Sequence, residues 1–276
     1  MTSPLDEHAL RAKGGDRDAL VQLVRGLDKP IYQMALRFLG IPADARDATQ
    51  EILILVITQV GSFRGDSAVS TWAYRIATRH LTRARKRFRR VSFESLADDD
   101  LGQSPGPIAP EALAQADERL LEEEVFIGCT QAMLQALDKT LRIAFVLGAI
   151  MDLDARDAAA ALDVSEPTFR KRLSRARATL DGFVSKHCGV ADPQNRCRCT
   201  FQVNYNIARG RLNPRQLRFA LPVARTSVEA ARARAEIHAV RHALELYRAQ
   251  PEHASGVDFA ARLRELIASA GTLASD

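Results

Sequence analysis

Metal or redox chemistry is conceivable in one stretch of the chain, HCGVADPQNRCRC, which holds His187, Cys188, Cys197 and Cys199. Three thiolates and one imidazole could satisfy a tetrahedral zinc ion. The adjacent His-Cys and the Cys-x-Cys pair strain the chelate and are not a standard finger spacing. The same residues could instead form a redox-sensitive dithiol, with Arg196 and Arg198 supplying positive charge beside it, or be plain free cysteines. His238, His242 and Glu245 share a helical face and could in principle ligate a metal, but such a trio more often forms a solvated surface. No catalytic constellation is present: there is no phosphate-binding glycine loop, no HExxH and no nucleophile elbow.

Nucleic-acid chemistry is better represented. Residues 154–180 read as a helix-turn-helix. Asp154 caps a short helix whose small apolar face is Ala155, Ala158, Ala159 and Leu162, and Asp163 takes a turn position that favours left-handed backbone. Ser165 caps the second helix and Pro167 fits its first turn. Phe169, Leu173, Ala176 and Leu180 face inward, leaving Thr168, Arg170, Lys171, Arg172, Arg175 and Arg177 to meet base edges and phosphates. A second basic feature is the run Arg83, Arg85, Lys86, Arg87, Arg89 and Arg90. These cations repel one another unless something anionic lies against them.

The elements that must position these residues form three helical modules. Residues 1–90 carry a charge of +7, 91–136 carry −9, 137–186 carry +2 and 187–276 carry +5. From Asp16 onward Leu20, Leu23, Val24, Leu27, Ile31, Met34 and Phe38 recur at helical steps, with an interruption expected at Pro30. Gly40 and Pro42 stop this helix, and Asp44 is the expected N-cap of the next, which carries ILILVI to about Gly61. A turn, GSFRGDS, precedes a helix from Ser70 to about Arg90 with Trp72, Ile76 and Leu81 inward. Residues 91–116 are acidic and rich in proline and glycine, so they read as a flexible linker. The second module spans 117–186, with Cys129 expected in its core stripe. The third, 187–276, ends in two amphipathic helices near 227–249 and 258–270. With 46% hydrophobic and 26% charged residues the chain can fill a core. No apolar run approaches a membrane span, and the N-terminus lacks signal-peptide features, which points to a cytoplasmic protein without a membrane partner.

The string DATQEILILVITQVGSFRGDSAVSTWAYRIATRHL resembles region 2 of bacterial extracytoplasmic-function (ECF) sigma factors, and LDKTLRIAFVLGAIMDLDARDAAAALDVSEPTFRKRLSRARATL resembles their region 4. The likeness covers about residues 10–185. It implies an all-α protein with two sigma modules, a region 2 bundle at 10–90 and a region 4 helix-turn-helix at 117–186. The acidic linker joins them, and a helical extension follows at 187–276. It also implies a non-enzymatic function: directing core RNA polymerase to promoter DNA. Carried over residue by residue, Asp47, Gln50 and Glu51 would face polymerase. Phe63, Arg64 and Ser70 in the loop, with Trp72, Arg75 and Arg79 on the following helix, would capture a flipped base of the downstream promoter element. Arg83 and Arg85 would hold phosphates at the melted edge. Ser165, Glu166, Thr168, Arg170, Lys171, Arg172 and Arg175 would read the upstream element.

The sequence departs from the family pattern at several positions. Leu55 and Ile57 replace a frequent Arg and Trp, Arg79 stands where Asn is common, and Asp163 replaces the usual turn glycine. No cofactor is required by this reading, with structural zinc in the extension the one candidate. An anti-sigma protein, or autoregulation by the extension, would be its regulator. The competing reading is a stand-alone helix-turn-helix regulator of duplex DNA, which has no need of the aromatic and arginine helix around Trp72.

Overall fold

The structure, a computed structural model of the 276-residue chain, describes residues 3–83, 91–102, 106–220, 243–248, 250 and 255–273. In chain order its α-helices are α1 Pro4–Lys13, α2 Arg17–Leu39, α3 Pro42–Gln59, α4 Val69–Arg83, α5 Phe93–Gly102, α6 Pro110–Leu113, α7 Glu118–Ala136, α8 Lys139–Phe145, α9 Ala155–Leu162, α10 Glu166–His187, α11 Cys199–Ala208, α12 Ala243–Arg248 and α13 Phe259–Leu273. Among the described residues the only β pairing is an isolated bridge, Cys188 to Cys197. The helices make an all-α protein. None among the described residues is long and apolar enough to cross a membrane. Two compact units emerge: residues 1–88, 146–171 and 252–276 form one, and 89–145 with 172–251 form the other.

In the first unit, α1 begins with a capping box. Ser3 Oγ accepts from Asp6 N, and an Asp6 oxygen accepts from Ser3 N. The other Asp6 oxygen accepts from Val69 N at 2.6 Å, so this carboxylate also caps α4. Burial pushes the Asp6 carboxyl up, but the hydrogen bonds from Val69 and Ser3 together bring it below its ordinary value. The α2 helix is capped by Asp16 and closed by Gly40 at φ 76°. Pro30 does not interrupt it. Proline inside a helix costs about 3 kcal/mol. The fully buried Leu27, Ile31 and Met34 around it each contribute about 1.5–3 kcal/mol, and packing carries the helix through. The expected cap at Asp44 is also corrected: α3 starts at Pro42, whose fixed φ suits a first turn, and Asp44 lies within that turn. From ILILVI, Ile52, Leu53 and Val56 are buried while Ile54 is half exposed.

The second unit is tied together by buried polar groups. Glu124 of α7, 5% exposed, accepts hydrogen bonds from three consecutive backbone N–H groups, those of Arg218, Phe219 and Ala220, at 2.8–2.9 Å. Tyr247 donates to Thr130 O and meets the Phe145 ring edge-on at 5.4 Å. The segment expected to be a flexible linker is partly helical. Ser92 and Ser95 cap α5 reciprocally, and Phe93 packs against Phe183. Ile108 and Ala112 join Leu121, Val125, Val203 and Leu212 in a small core, and Asn204 bonds Pro107 O and Ala109 N. Cys129, expected inside, is exposed, while Val125 and Met133 of the same stripe are buried, as are Phe126 and Thr130. Of the expected helix at 227–249, residues 227–242 and 249 lie outside the described residues, while 243–248 are helical.

The α13 helix packs on α2. There Asp28 has an enclosed oxygen without a hydrogen-bond partner. Burial chiefly, and then Asp258, raise its carboxyl to about 6. The folded value exceeds the unfolded one, so the associated stability is fully present at low pH and is lost as pH rises through about 6. Replacing Asp28 by Asn should therefore stabilise the protein at pH 8 by about 1 kcal/mol, allowing for partial solvent screening, and change little at pH 4. Urea unfolding at the two pH values checks this; an equal effect at both would remove Asp28 ionisation as the cause.

Candidate nucleic-acid and partner interface

Asp47, Gln50, Glu51 and Ile54 are all exposed on α3. Their spacing places them along one side of the helix. Glu51 Oε2 lies 3.0 Å from His80 Nε2 of α4. A cleft of about 510 Å³ opens between α3 and α4, with Leu39, Leu55, Ile76 and Leu81 among its apolar lining and Glu51, Arg79, His80 and Arg83 as its charged or titratable members. His80 was not singled out in the sequence. It joins the two faces of this unit because its pairing with Glu51 is tertiary and leaves no local spacing signal.

The loop before α4 divides into a buried root and an exposed tip. Phe63 is 2% exposed and packs on Trp72 with ring centroids 5.6 Å apart. Lys13 Nζ donates to Phe63 O at 2.8 Å. Phe63 is therefore a support beneath Trp72, and the expectation that it receives a base itself is corrected: its ring is already committed to the core. Arg64 is exposed in the tip, where Gly65 takes a left-handed φ of 79°, and Ser70 and Trp72 are half-buried. Arg83 is exposed at the end of α4, while Arg85 lies outside the described residues.

On α4 the remaining expected nucleic-acid contacts touch α9. Arg75 Nε donates to Ala160 O at 2.9 Å, and Thr78 Oγ1 donates to Ala161 O at 2.7 Å. Arg79 pairs with Asp163 at 3.1 Å, with both side chains more than half exposed. The last carbonyls of a helix need donors, and its C-terminus favours cations. Here α4 supplies both. An exposed pair such as Arg79–Asp163 is worth about 0–1 kcal/mol, so a phosphate can compete for the arginine.

The helix-turn-helix forms as its sequence indicates. Asp154 accepts from Asp157 N at 2.8 Å, Asp163 adopts φ 58° and Ser165 caps α10 through Thr168. Along α10, Phe169, Ala176 and Leu180 are buried while Ser165, Thr168, Arg170, Lys171 and Arg175 are exposed. Glu166 and Arg172 are half-buried, and Glu166 pairs with Arg170 at 2.7 Å. This leaves a cationic helix face with one internal counter-charge.

The zinc expectation is not met. Among the described residues no group of three or more His, Cys, Asp or Glu side chains converges to hold a metal. His187 instead stacks on Phe183, with centroids 4.7 Å apart and planes at 25°. His238 and His242 lie outside the described residues.

Residues 23–91 match the family described as Sigma-70 region 2, and residues 127–180 match Sigma-70, region 4. The RNA polymerase sigma-H factor of Pseudomonas aeruginosa is 31% identical over 175 residues, covering 62% of this chain and 89% of that protein. The ECF RNA polymerase sigma-E factor of Escherichia coli K12 is 29% identical, covering 67% and 97% respectively. Among solved structures, CnrH in complex with the cytosolic domain of CnrY matches at 26% identity over 64% of this chain and 94% of its own, with a TM-score of 0.45. The chain belongs to the ECF family of RNA polymerase sigma factors. It directs RNA polymerase to promoters and initiates DNA-templated transcription there.

Removing the Arg75 side chain takes a donor from the end of α9. In the free protein Arg75→Ala should speed amide exchange across α9 about fivefold, the equivalent of roughly 1 kcal/mol. Unchanged exchange would show that Thr78 and the apolar contacts alone hold the helix.

Proposed function

We propose that the exposed α3 face of Asp47, Gln50 and Glu51 is the polymerase contact. In this reading the tip of the 63–70 loop, with Trp72 and the α4 cations Arg75, Arg79 and Arg83, captures the downstream promoter element. Stacking on an aromatic ring contributes about 1–3 kcal/mol per base, comparable with the few kcal/mol needed to extrude one. Phe63 acts through Trp72 by holding its ring. The exposed residues of α10, Ser165, Thr168, Arg170, Lys171 and Arg175, read the upstream element, with Glu166 and Arg172 at the margin of that face. Residues 10–90 then act as region 2, 117–186 as region 4 and 187–276 as an appended extension. The protein works in the cytoplasm with core polymerase and carries no catalytic chemistry of its own; polymerase makes the phosphodiester bonds.

The observation that carries this reading is the run of exposed polar side chains on α3, held beside the cationic face of α4. A protein that only gripped duplex DNA would need the α10 face alone. Arg75 and Arg79 cannot hold both α9 and a promoter strand, so productive binding releases the α4–α9 contact.

Transcription with purified core polymerase tests the assignment. Alanine at Asp47, Gln50 and Glu51 together should cut specific initiation about tenfold or more, at least ~1.4 kcal/mol of polymerase binding, with unchanged helicity. Full activity in that variant, or tight duplex binding with no polymerase-dependent initiation, would reject it. Independently, Arg170→Ala with Lys171→Ala should lower affinity for a promoter fragment and reduce the salt slope of binding by about two, as titration at several salt concentrations would reveal.

A further inference from the structure

We propose that Cys188 and Cys197 are a reversible oxidation site, which closes as an intramolecular disulfide when a hydroperoxide reaches it. These two cysteines are the facing members of the isolated parallel bridge, with Gly189 N donating to Cys197 O at 3.1 Å. Paired backbones lie about 4.8 Å apart, inside the roughly 4.4–6.8 Å range of Cα separations that a disulfide spans. Both residues are half-buried, open to a small oxidant yet held in place.

The intervening loop is already closed by its own hydrogen bonds. Asn195 Nδ2 donates to Ser185 O and Cys188 O at 3.0 and 3.1 Å. The Arg198 guanidinium reaches Pro193 O at 2.6 Å, Cys197 O at 2.9 Å and Asn195 O. A side chain at Gly189 would collide with Cys197 O and the Arg198 guanidinium, so this close approach requires glycine. Gln202 Nε2 donates to Cys197 Sγ at 3.9 Å and orients it. Because the loop is ordered before the bond forms, closure demands little further chain ordering.

The third thiol stays apart from this chemistry. Cys199 is partly buried against the small core that includes Ile108, Leu121 and Val203. Burial chiefly, with Cys188 and Cys197 as lesser neighbours, pushes the Cys199 thiol up, which disfavours its reactive thiolate form. Since the cysteines and His187 form no convergent metal group, the arrangement suits two-sulfur chemistry. The terminal peroxide oxygen transfers to one sulfur, giving a sulfenic acid and leaving an alcohol or water. The second thiol then displaces that hydroxyl, forming the S–S bond and releasing water, so two electrons pass from sulfur to the broken O–O bond. A thiol reductant reverses it. The result ties the end of α10 covalently to the start of α11.

The test counts thiols in the full chain. After hydrogen peroxide and a denaturing alkylation quench, the free thiols should fall from four to two. Non-reducing peptide mapping should show Cys188 joined to Cys197, and dithiothreitol should restore all four. Cys199→Ser should behave as the natural chain, and Cys188→Ser should lose the bond. Four thiols remaining in excess peroxide, a bond involving Cys199 or Cys129, or stoichiometric zinc retained on protected thiols would each overturn the proposal.

Discussion

A helix end must find donors for its last carbonyls, and α9 finds them on α4. Arg75 and Thr78 reach Ala160 O and Ala161 O, and Arg79 meets the turn residue Asp163. This contact joins the first helix of the helix-turn-helix to the cationic helix α4 within one compact unit. It works because α9 is built from small residues. Ala158, Ala159 and Ala161 are buried with little bulk between the helices, so polar side chains of α4 can reach backbone. In the proposed function the interaction carries a cost, since Arg75 is occupied by a protein carbonyl and Arg79 by a carboxylate. Each bond is modest, about 0.5–1.5 kcal/mol net, and a polyanion can replace them.

The position of α4 depends in turn on elements at both of its ends. Asp6, which precedes the residues expected for region 2, fixes its first turn. Phe63 sets the height of Trp72, and Leu81 anchors the other end in the core with no exposure. On the remaining side His80 faces Glu51, so α3 and α4 share a polar link across their cleft. A helix held in this way keeps one face apolar and the other free to exchange partners.

The helix-turn-helix was legible because its determinants are local: Asp154 and Ser165 cap within three residues, Asp163 takes the left-handed turn, and the α10 stripe has helical period. Asp47, Gln50 and Glu51 of α3 were marked by the family resemblance alone, and they lie exposed along one side of that helix. Phe63 was marked as part of the loop that the family resemblance implies, and only tertiary packing reveals it buried against Trp72. Cys129 fell on a stripe whose members Val125, Met133 and Leu137 are buried, yet it lies at the edge of that stripe and is itself exposed. The Glu124 carboxylate and the backbone of 218–220 meet across more than ninety residues, beyond what periodicity can register. Acidity hid the linker helix α5, whose reciprocal Ser92–Ser95 cap is nonetheless a readable signal.

In the proposed function the α4–α9 contact and promoter capture are mutually exclusive. Spin labels introduced by non-cysteine chemistry at Thr82 and Arg156, both exposed, would report the separation of the two helices by pulsed dipolar spectroscopy. The protein alone should give a short, narrow distance distribution, and the complex with polymerase and promoter a longer one. An unchanged short distance in a complex that initiates transcription would show that promoter capture leaves the α4–α9 contact intact.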